Sequence, residues 1–208
     1  FLDEVLEFDK YTLEAMRQPL EDGVITVSRL SGSITYPAEI TLILTGNPCP
    51  CGYRNDDTKK CTCSYNEVKN YLSKLSGPLL DRIDLYVEAI PVKYKELNSM
   101  GGGEKSSLIR ERVIKARDIQ LERFKDHNIF SNSQLSSALV KKFCKLDSKG
   151  NALLKSAFEK LDLSARAYNR ILKVARTIAD LDGSEDIKSA HIAEAIQYRV
   201  TAIHKRVY

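Results

Sequence analysis

Two stretches decide how the first half of the chain reads: Phe1-Leu2-Asp3-Glu4 and Ile40-Thr41-Leu42-Ile43-Leu44-Thr45-Gly46-Asn47. Each is a short apolar run that ends on polar residues. A short apolar run such as Ile40 to Leu44 is the pattern of a strand covered on both faces, as in a parallel sheet, and Phe1-Leu2 reads as the end of another strand. In such a sheet both carboxyl ends lie on one edge, which is where open α/β sheets bind ligands. Asp3 can there hold Mg²⁺ through water, and Glu4 can polarise a hydrolytic water. Asn47, expected beside them, can orient a water or a phosphate without adding charge. Each residue also has an ordinary explanation. Two acids after a strand start a loop or cap a helix, and Gly46-Asn47-Pro48 is good turn chemistry. Because Phe1 reads as the end of a buried strand, the 208 residues are expected to be part of a longer protein.

The surrounding sequence fits an α/β unit. Asp9 is placed to cap a helix that carries Leu13 and Met16 and stops before Pro19. Val24-Ile25-Thr26-Val27 and Ser33-Ile34-Thr35-Tyr36 flank Leu30-Ser31-Gly32, a hairpin pattern. A cysteine-containing loop follows Pro48, then a helix from about Tyr65 to Leu75, a break at Ser76-Gly77-Pro78, and an alternating strand from Ile83 to Ile90. The expected division is a partial α/β core over 1–97, a glycine-rich linker over 98–104 around Gly101-Gly102-Gly103, and a helical domain over 105–208. Gly103-Glu104-Lys105-Ser106 imitates a phosphate-binding loop but fails the G-x-x-x-x-G-K-[ST] spacing.

The second half reads as all helix. Ile109, Val113, Ala116 and Phe124 form a stripe that Gln120 interrupts. Further helices are expected from about Gln134 to Cys144, Ser148 to Leu161, Ser164 to Leu181, and Ser189 to Arg199. In the fourth, Tyr168, Leu172, Ala175 and Ala179 share one face, and Arg166, Arg170 and Lys173 the opposite one.

Composition bounds the function. Hydrophobic residues make up 43% and charged residues 29%, ordinary values for a globular protein. No apolar run approaches the roughly 20 residues that span a bilayer, so no membrane partner is expected. The net charge of +4 is uneven: residues 96–208 carry +7 and residues 1–95 carry −3. The basic half suits a polyanion such as nucleic acid, or is a solvated helical surface.

Two arginines and four cysteines complete the candidates. Arg82, in Leu79-Leu80-Asp81-Arg82-Ile83-Asp84, lies between a helical turn and a strand. There its guanidinium can project toward a phosphate on a neighbouring subunit, or pair with Asp81 or Asp84. Arg166 falls in the first turn of a helix, where the macrodipole disfavours a cation unless an anion or water answers it. Cys49, Cys51, Cys61 and Cys63 are spaced C-x-C-x9-C-x-C. Four thiols in two pairs can wrap one tetrahedral Zn²⁺, a structural site with no open position. C-x-C is tighter than the usual C-x-x-C knuckle, and reduced thiols in a loop are the alternative. An odd cysteine count with a tight cluster argues against a secreted disulfide framework and for a reducing cytoplasm. Cys144 is expected to be buried and inert. His127, His191 and His204 enter no readable nucleophile motif.

Taken in order, these motifs resemble a known family. Phe1-Leu2-Asp3-Glu4 is similar to the Walker B motif of AAA+ ATPases. Arg17-Gln18-Pro19-Leu20-Glu21-Asp22-Gly23, the hairpin from Val24 to Pro37, Asn47-Pro48-Cys49-Pro50-Cys51-Gly52 and Ser76 to Asp84 resemble the magnesium-chelatase-like branch. Ser164 to Leu181 fits its lid, and the likeness points to the YifB/ComM, competence-type group. The resemblance implies the carboxyl-terminal part of a P-loop core, a parallel sheet with a hairpin insertion, followed by a helical lid.

It also implies roles. Asp3 would help hold Mg²⁺, Glu4 would be the catalytic carboxylate, Asn47 sensor 1, Arg82 the arginine finger and Arg166 sensor 2. The hairpin would be the pre-sensor-1 hairpin, with Arg29 near its tip a contact to nucleic-acid phosphate or simply an exposed charge. Family members carry a phosphate loop upstream of Walker B and a further domain resembling the Lon protease fold. These 208 residues lack the loop, so alone they are expected neither to bind nor to hydrolyse ATP appreciably. The parent function implied is a hexameric ATPase that uses ATP and Mg²⁺ to remodel DNA, of helicase or branch-migration type. The alternative is the motor subunit of a magnesium chelatase that inserts Mg²⁺ into a porphyrin. A helical interaction module without activity is the third reading, for the fragment by itself.

Overall fold

The computed structural model describes residues 1–54, 56, 58–89 and 103–207, with the backbone alone for 200–207. The chain divides into two compact units, residues 1–83 and 84–207. The expected linker up to Gly102 lies outside the described residues.

The first unit opens with a single 3₁₀ turn, Val5–Glu7, then α1 (Lys10–Ala15) and α2 (Arg17–Asp22). Asp9 caps α1 as expected, its carboxylate accepting from the Thr12 amide at 2.9 Å. The helical path does not stop before Pro19. It breaks at Met16 and restarts at Arg17, so Pro19 occupies the first turn of a new helix, where its missing N–H costs nothing. Gly23 ends α2 in a left-handed conformation (φ 65°) that favours glycine.

β1 (Val24–Arg29) and β2 (Gly32–Pro37) then form the expected antiparallel hairpin with Leu30-Ser31 at its tip. Register pairs Ile25 with Tyr36 and Val27 with Ile34 on one face. Hydroxyl pairs Thr26–Thr35 (3.1 Å) and Ser28–Ser33 (2.8 Å) line the other. α3 (Tyr65–Leu72) and α4 (Gly77–Leu80) close the unit. Ser64 and Glu67 make a reciprocal capping box on α3, and Ser76 caps α4. Val5, Leu6, Leu13, Tyr71 and Leu79 form its core.

The expected parallel sheet is not present among the described residues. The two apolar runs meet in one parallel bridge, Leu2 to Leu44, and the sheet that does form is the two-stranded antiparallel hairpin. Ile40 and Ile43 are 45% and 56% exposed, so no layer covers the run on both faces as a central strand requires. The strand expected from Ile83 is likewise absent through Ala89. Leu85 and Val87 are exposed, and the segment is held by Tyr86, whose amide donates to the Tyr198 carbonyl at 3.0 Å.

The second unit is helical: α5 (Ser106–Arg123), a 3₁₀ turn at Asn132–Gln134, α6 (Ser137–Phe143), α7 (Ser148–Lys160), α8 (Ala165–Leu181) and α9 (Ser189–Val207). Serine or aspartate caps start α6, α7 and α8 at Ser136, Asp147 and Ser164. One continuous core, including Phe124, Val140, Leu154, Ile171, Leu172, Ala175 and Ile192, runs through the unit. The α5 stripe is buried only toward its end. Ala116 and Gln120 are covered, whereas Ile109 and Val113 are 42% and 46% exposed. No helix among the described residues is long and apolar enough to cross a membrane.

Candidate functional site

The Leu2–Leu44 bridge builds the carboxylate edge. Leu2 donates its amide to the Ile43 carbonyl (2.9 Å), Thr45 donates to Leu2 (3.0 Å), and Val5 donates to Thr45 (2.8 Å). These bonds set Asp3 beside Thr45. The Thr45 hydroxyl donates to Asp3 Oδ1, and the Glu4 amide lies 3.1 Å from both Asp3 Oδ1 and Thr45 Oγ1. Glu4 itself sits in the left-handed region (φ 50°), a conformation disfavoured by roughly 1–2 kcal/mol for a side chain with a Cβ. The bonds on either side hold it there. The backbone therefore turns sharply after Asp3, and both carboxylates are exposed.

Asn47 follows two residues beyond Thr45 and is also exposed. No hydrogen bond joins it to Asp3 or Glu4 among the described residues. Two carboxylates and a threonine hydroxyl are hard oxygen donors, the type that Mg²⁺ takes, so these residues fit that ion. Thr45, which directly follows the run from Ile40 to Leu44, joins the group through its hydroxyl. Its place beside Asp3 follows from the parallel pairing of Leu2 with Leu44, which the sequence alone does not fix.

Arg82 does not project from the unit. Its side chain is 6% exposed; it pairs with Glu21 and donates to the Pro78 carbonyl at 2.7 Å. The sequence suggested Asp81 or Asp84 as its intramolecular partner. Asp84 instead pairs with Arg170 on α8. Arg166 is exposed in the first turn of α8, and Arg29 is exposed at the end of β1. The charged face of α8 is only partly solvated. Lys173 donates to the Ser133 carbonyl at 2.8 Å, and burial lowers its pKa.

The four cysteines converge. Their Sγ atoms all lie within 4.8 Å of one another. Cys49–Cys51, Cys51–Cys61 and Cys49–Cys61 are 3.4, 3.5 and 3.6 Å apart, and the thiols are free. Cys49 is fully buried. The tight C-x-C spacing is accommodated by a turn in which the Gly52 amide donates to the Cys49 carbonyl at 3.0 Å. Pro50 occupies the corner of that turn, and Gly52 takes a positive φ of 81° that suits glycine. The loop back to Cys61 is closed by Asp56, which accepts from the Thr58 and Lys59 amides at 2.6 and 2.9 Å.

The amides of Tyr53 and Thr62 draw the Cys51 thiol down to about 6. The Cys51 amide pulls Cys63 the same way, but burial and the neighbouring thiols outweigh it and push Cys63 up to about 12. Such a set can hold a metal ion. Cys144, far along the chain, is buried as expected, and burial raises its thiol to about 11.

A buried polar network in the second unit escaped the sequence reading. Asp180 accepts from both Arg123 and Arg176, and from Asn132 Nδ2 at 2.8 Å. Gln120 Oε1 accepts the Asn132 amide at 3.1 Å. Arg176 also donates to the carbonyls of Ser184 and Glu185 at 2.6 and 2.7 Å. The network ties α5, the Asn132 turn, α8 and the following loop together. It is a structural device: each polar group answers another. His191 is structural too, its Nδ1 accepting the Lys188 amide at 3.0 Å at the start of α9.

Comparison with known proteins accounts for both units. Residues 1–97 match the family described as "Magnesium chelatase, subunit ChlI", and residues 103–199 match "Magnesium chelatase, subunit ChlI C-terminal". Competence protein ComM of Haemophilus influenzae is 44% identical over 200 residues, covering 96% of this chain and 38% of that protein. YifB of Escherichia coli, described as uncharacterized, is 43% identical over 201 residues, with coverage of 96% and 38%. Rv2897c of Mycobacterium tuberculosis, also described as uncharacterized, is 37% identical over 205 residues, with coverage of 99% and 40%. The chain thus spans about two fifths of the length of these relatives. Together the two matched segments and the relatives show that the chain belongs to the magnesium-chelatase-like AAA+ family, with ComM and YifB as homologues.

Proposed function

We propose that the whole protein is a hexameric AAA+ ATPase that remodels DNA in the manner of a branch-migration helicase. The observation that carries this reading is the Leu2–Leu44 bridge, which gathers Asp3, Glu4 and Thr45 on one exposed edge. When bound, Mg²⁺ neutralises charge on the phosphates of ATP. Asp3 contributes an oxygen toward that ion while Thr45 fixes its carboxylate. Glu4 orients the attacking water, and Asn47 contacts water or phosphate from the neighbouring segment. These 208 residues supply no phosphate-binding loop, so turnover belongs to the longer protein.

Arg82 acts across a subunit boundary as the arginine finger. It is buried on Glu21 in the single chain, so this role requires the guanidinium to leave Glu21 when the ring assembles. Arg166, exposed on the first turn of α8, serves as sensor 2. Arg29, exposed beside the hairpin tip, meets the DNA backbone. The basic balance of the second half is consistent with a polyanionic partner. The name competence protein, carried by ComM, supports DNA as the substrate over a porphyrin.

The test uses the full-length protein. ATPase activity should rise on adding DNA, and Arg82→Ala should cut turnover by about 10³-fold or more while nucleotide affinity holds. Retained turnover in Arg82→Ala overturns the finger role. Stimulation by porphyrin and partner subunits, with none by DNA, would favour the chelatase reading instead.

A further inference from the structure

We propose that Cys49, Cys51, Cys61 and Cys63 hold one zinc ion in a closed tetrahedral site, and that this ion locks the segment carrying Asn47 to the start of α3. The sulfur geometry comes first. Four sulfurs each about 2.3 Å from one ion stand about 3.8 Å apart. The separations here are 3.4 to 3.6 Å for three of the pairs, and all four sulfurs lie within 4.8 Å of one another. That is too long for a disulfide and close to a tetrahedron awaiting its centre. Soft thiolates without a carboxylate or imidazole select zinc over magnesium or calcium. With four protein ligands no position is left for water or substrate, so the ion does no hydrolytic chemistry.

The placement of the pairs gives the site its purpose. Cys49 follows Asn47 by two residues, and Cys63 immediately precedes Ser64, the cap of α3. α3 in turn buries Val68 and Tyr71, and Tyr71 belongs to the same small core as Val5 and Leu6. That core is small, and none of its members lies between Cys51 and Cys61. Metal ligation at both ends of the loop supplies the constraint that apolar packing does not. The centre stands whether or not Asn47 is a nucleotide sensor, because the sulfur geometry is independent of that reading.

Full-length protein prepared without chelator should contain about one zinc per chain by elemental analysis. Cobalt substituted for the zinc should show the visible absorption of a tetrahedral tetrathiolate site. Cys49→Ser with Cys61→Ser should lose the metal, and Cys144→Ser should keep it. Zinc release by a mercurial titrant should expose four thiols together in the wild type, a readout that does not depend on any variant folding. Limited proteolysis should cut between Cys51 and Cys61 only after release. Metal-free wild-type protein, metal retained by the double variant, or a loop equally protected after release would overturn the proposal. Full turnover in Asn47→Ala with zinc still bound would count against the Asn47 role and leave the centre intact.

Discussion

The two units solve the problem of stability differently. The second, residues 84–207, has one continuous apolar core and a buried ionic network across it. The first, residues 1–83, gathers five buried apolar side chains into its main cluster, leaves both hairpin faces in solvent, and places four thiols around one point. The difference teaches where each unit puts its polar groups. The helical unit spends its buried polar groups on holding itself together. The first unit leaves Asp3, Glu4 and Asn47 exposed, with the Thr45 hydroxyl donating to Asp3.

The largest effect should come from breaking the network of the second unit. Asp180→Ala leaves Arg123 and Arg176 without their shared carboxylate and should cost about 3–5 kcal/mol in chemical denaturation. A loss below about 1 kcal/mol would mean the network is not what ties α5 to α8. Next comes a paired test of apolar packing. Leu154→Ala, 1% exposed in the helical core, should cost roughly 2–5 kcal/mol. Ile43→Ala, 56% exposed, should stay within about 0.5 kcal/mol in this chain. An equal cost at Ile43 would show that the apolar run is covered in solution, narrowing the contrast between the units.

The smallest effect concerns the α3 cap. The Ser64 amide, donating to Glu67, holds that carboxyl below the usual carboxylate range. Its folded value is depressed, so the stabilisation is present above the unfolded value and fades as pH falls through the folded one. Amide exchange at the first turn of α3 should therefore quicken in acid, and Glu67→Gln should flatten that dependence. An unchanged profile in the variant would assign it to another group.

Much of the architecture was legible because it rests on local rules. The Ser164 cap and the apolar face of Leu172, Ala175 and Ala179 marked α8 to within a residue at each end. Alternation and the Leu30-Ser31-Gly32 turn marked the hairpin. The interruption of the α5 stripe at Gln120 was visible, but its meaning was not. Gln120 is buried because it receives the amide of Asn132, a residue on another element. Arg176 and Asp180, four apart beside the buried Ala175 and Ala179, are the local trace of that network in the sequence.

By itself the sequence determined the helices, the hairpin, the clustering of four cysteines and the family likeness, since caps, periodicity and spacing act within a few residues of chain. Only the tertiary structure decided the rest. It set Thr45 against Asp3, turned Arg82 inward onto Glu21, brought four sulfurs to one point across a tight Pro50 turn, and left the apolar run at Ile40 to Leu44 as a single bridge. Those outcomes depend on which distant groups meet and which surfaces are covered, and no local propensity fixes either.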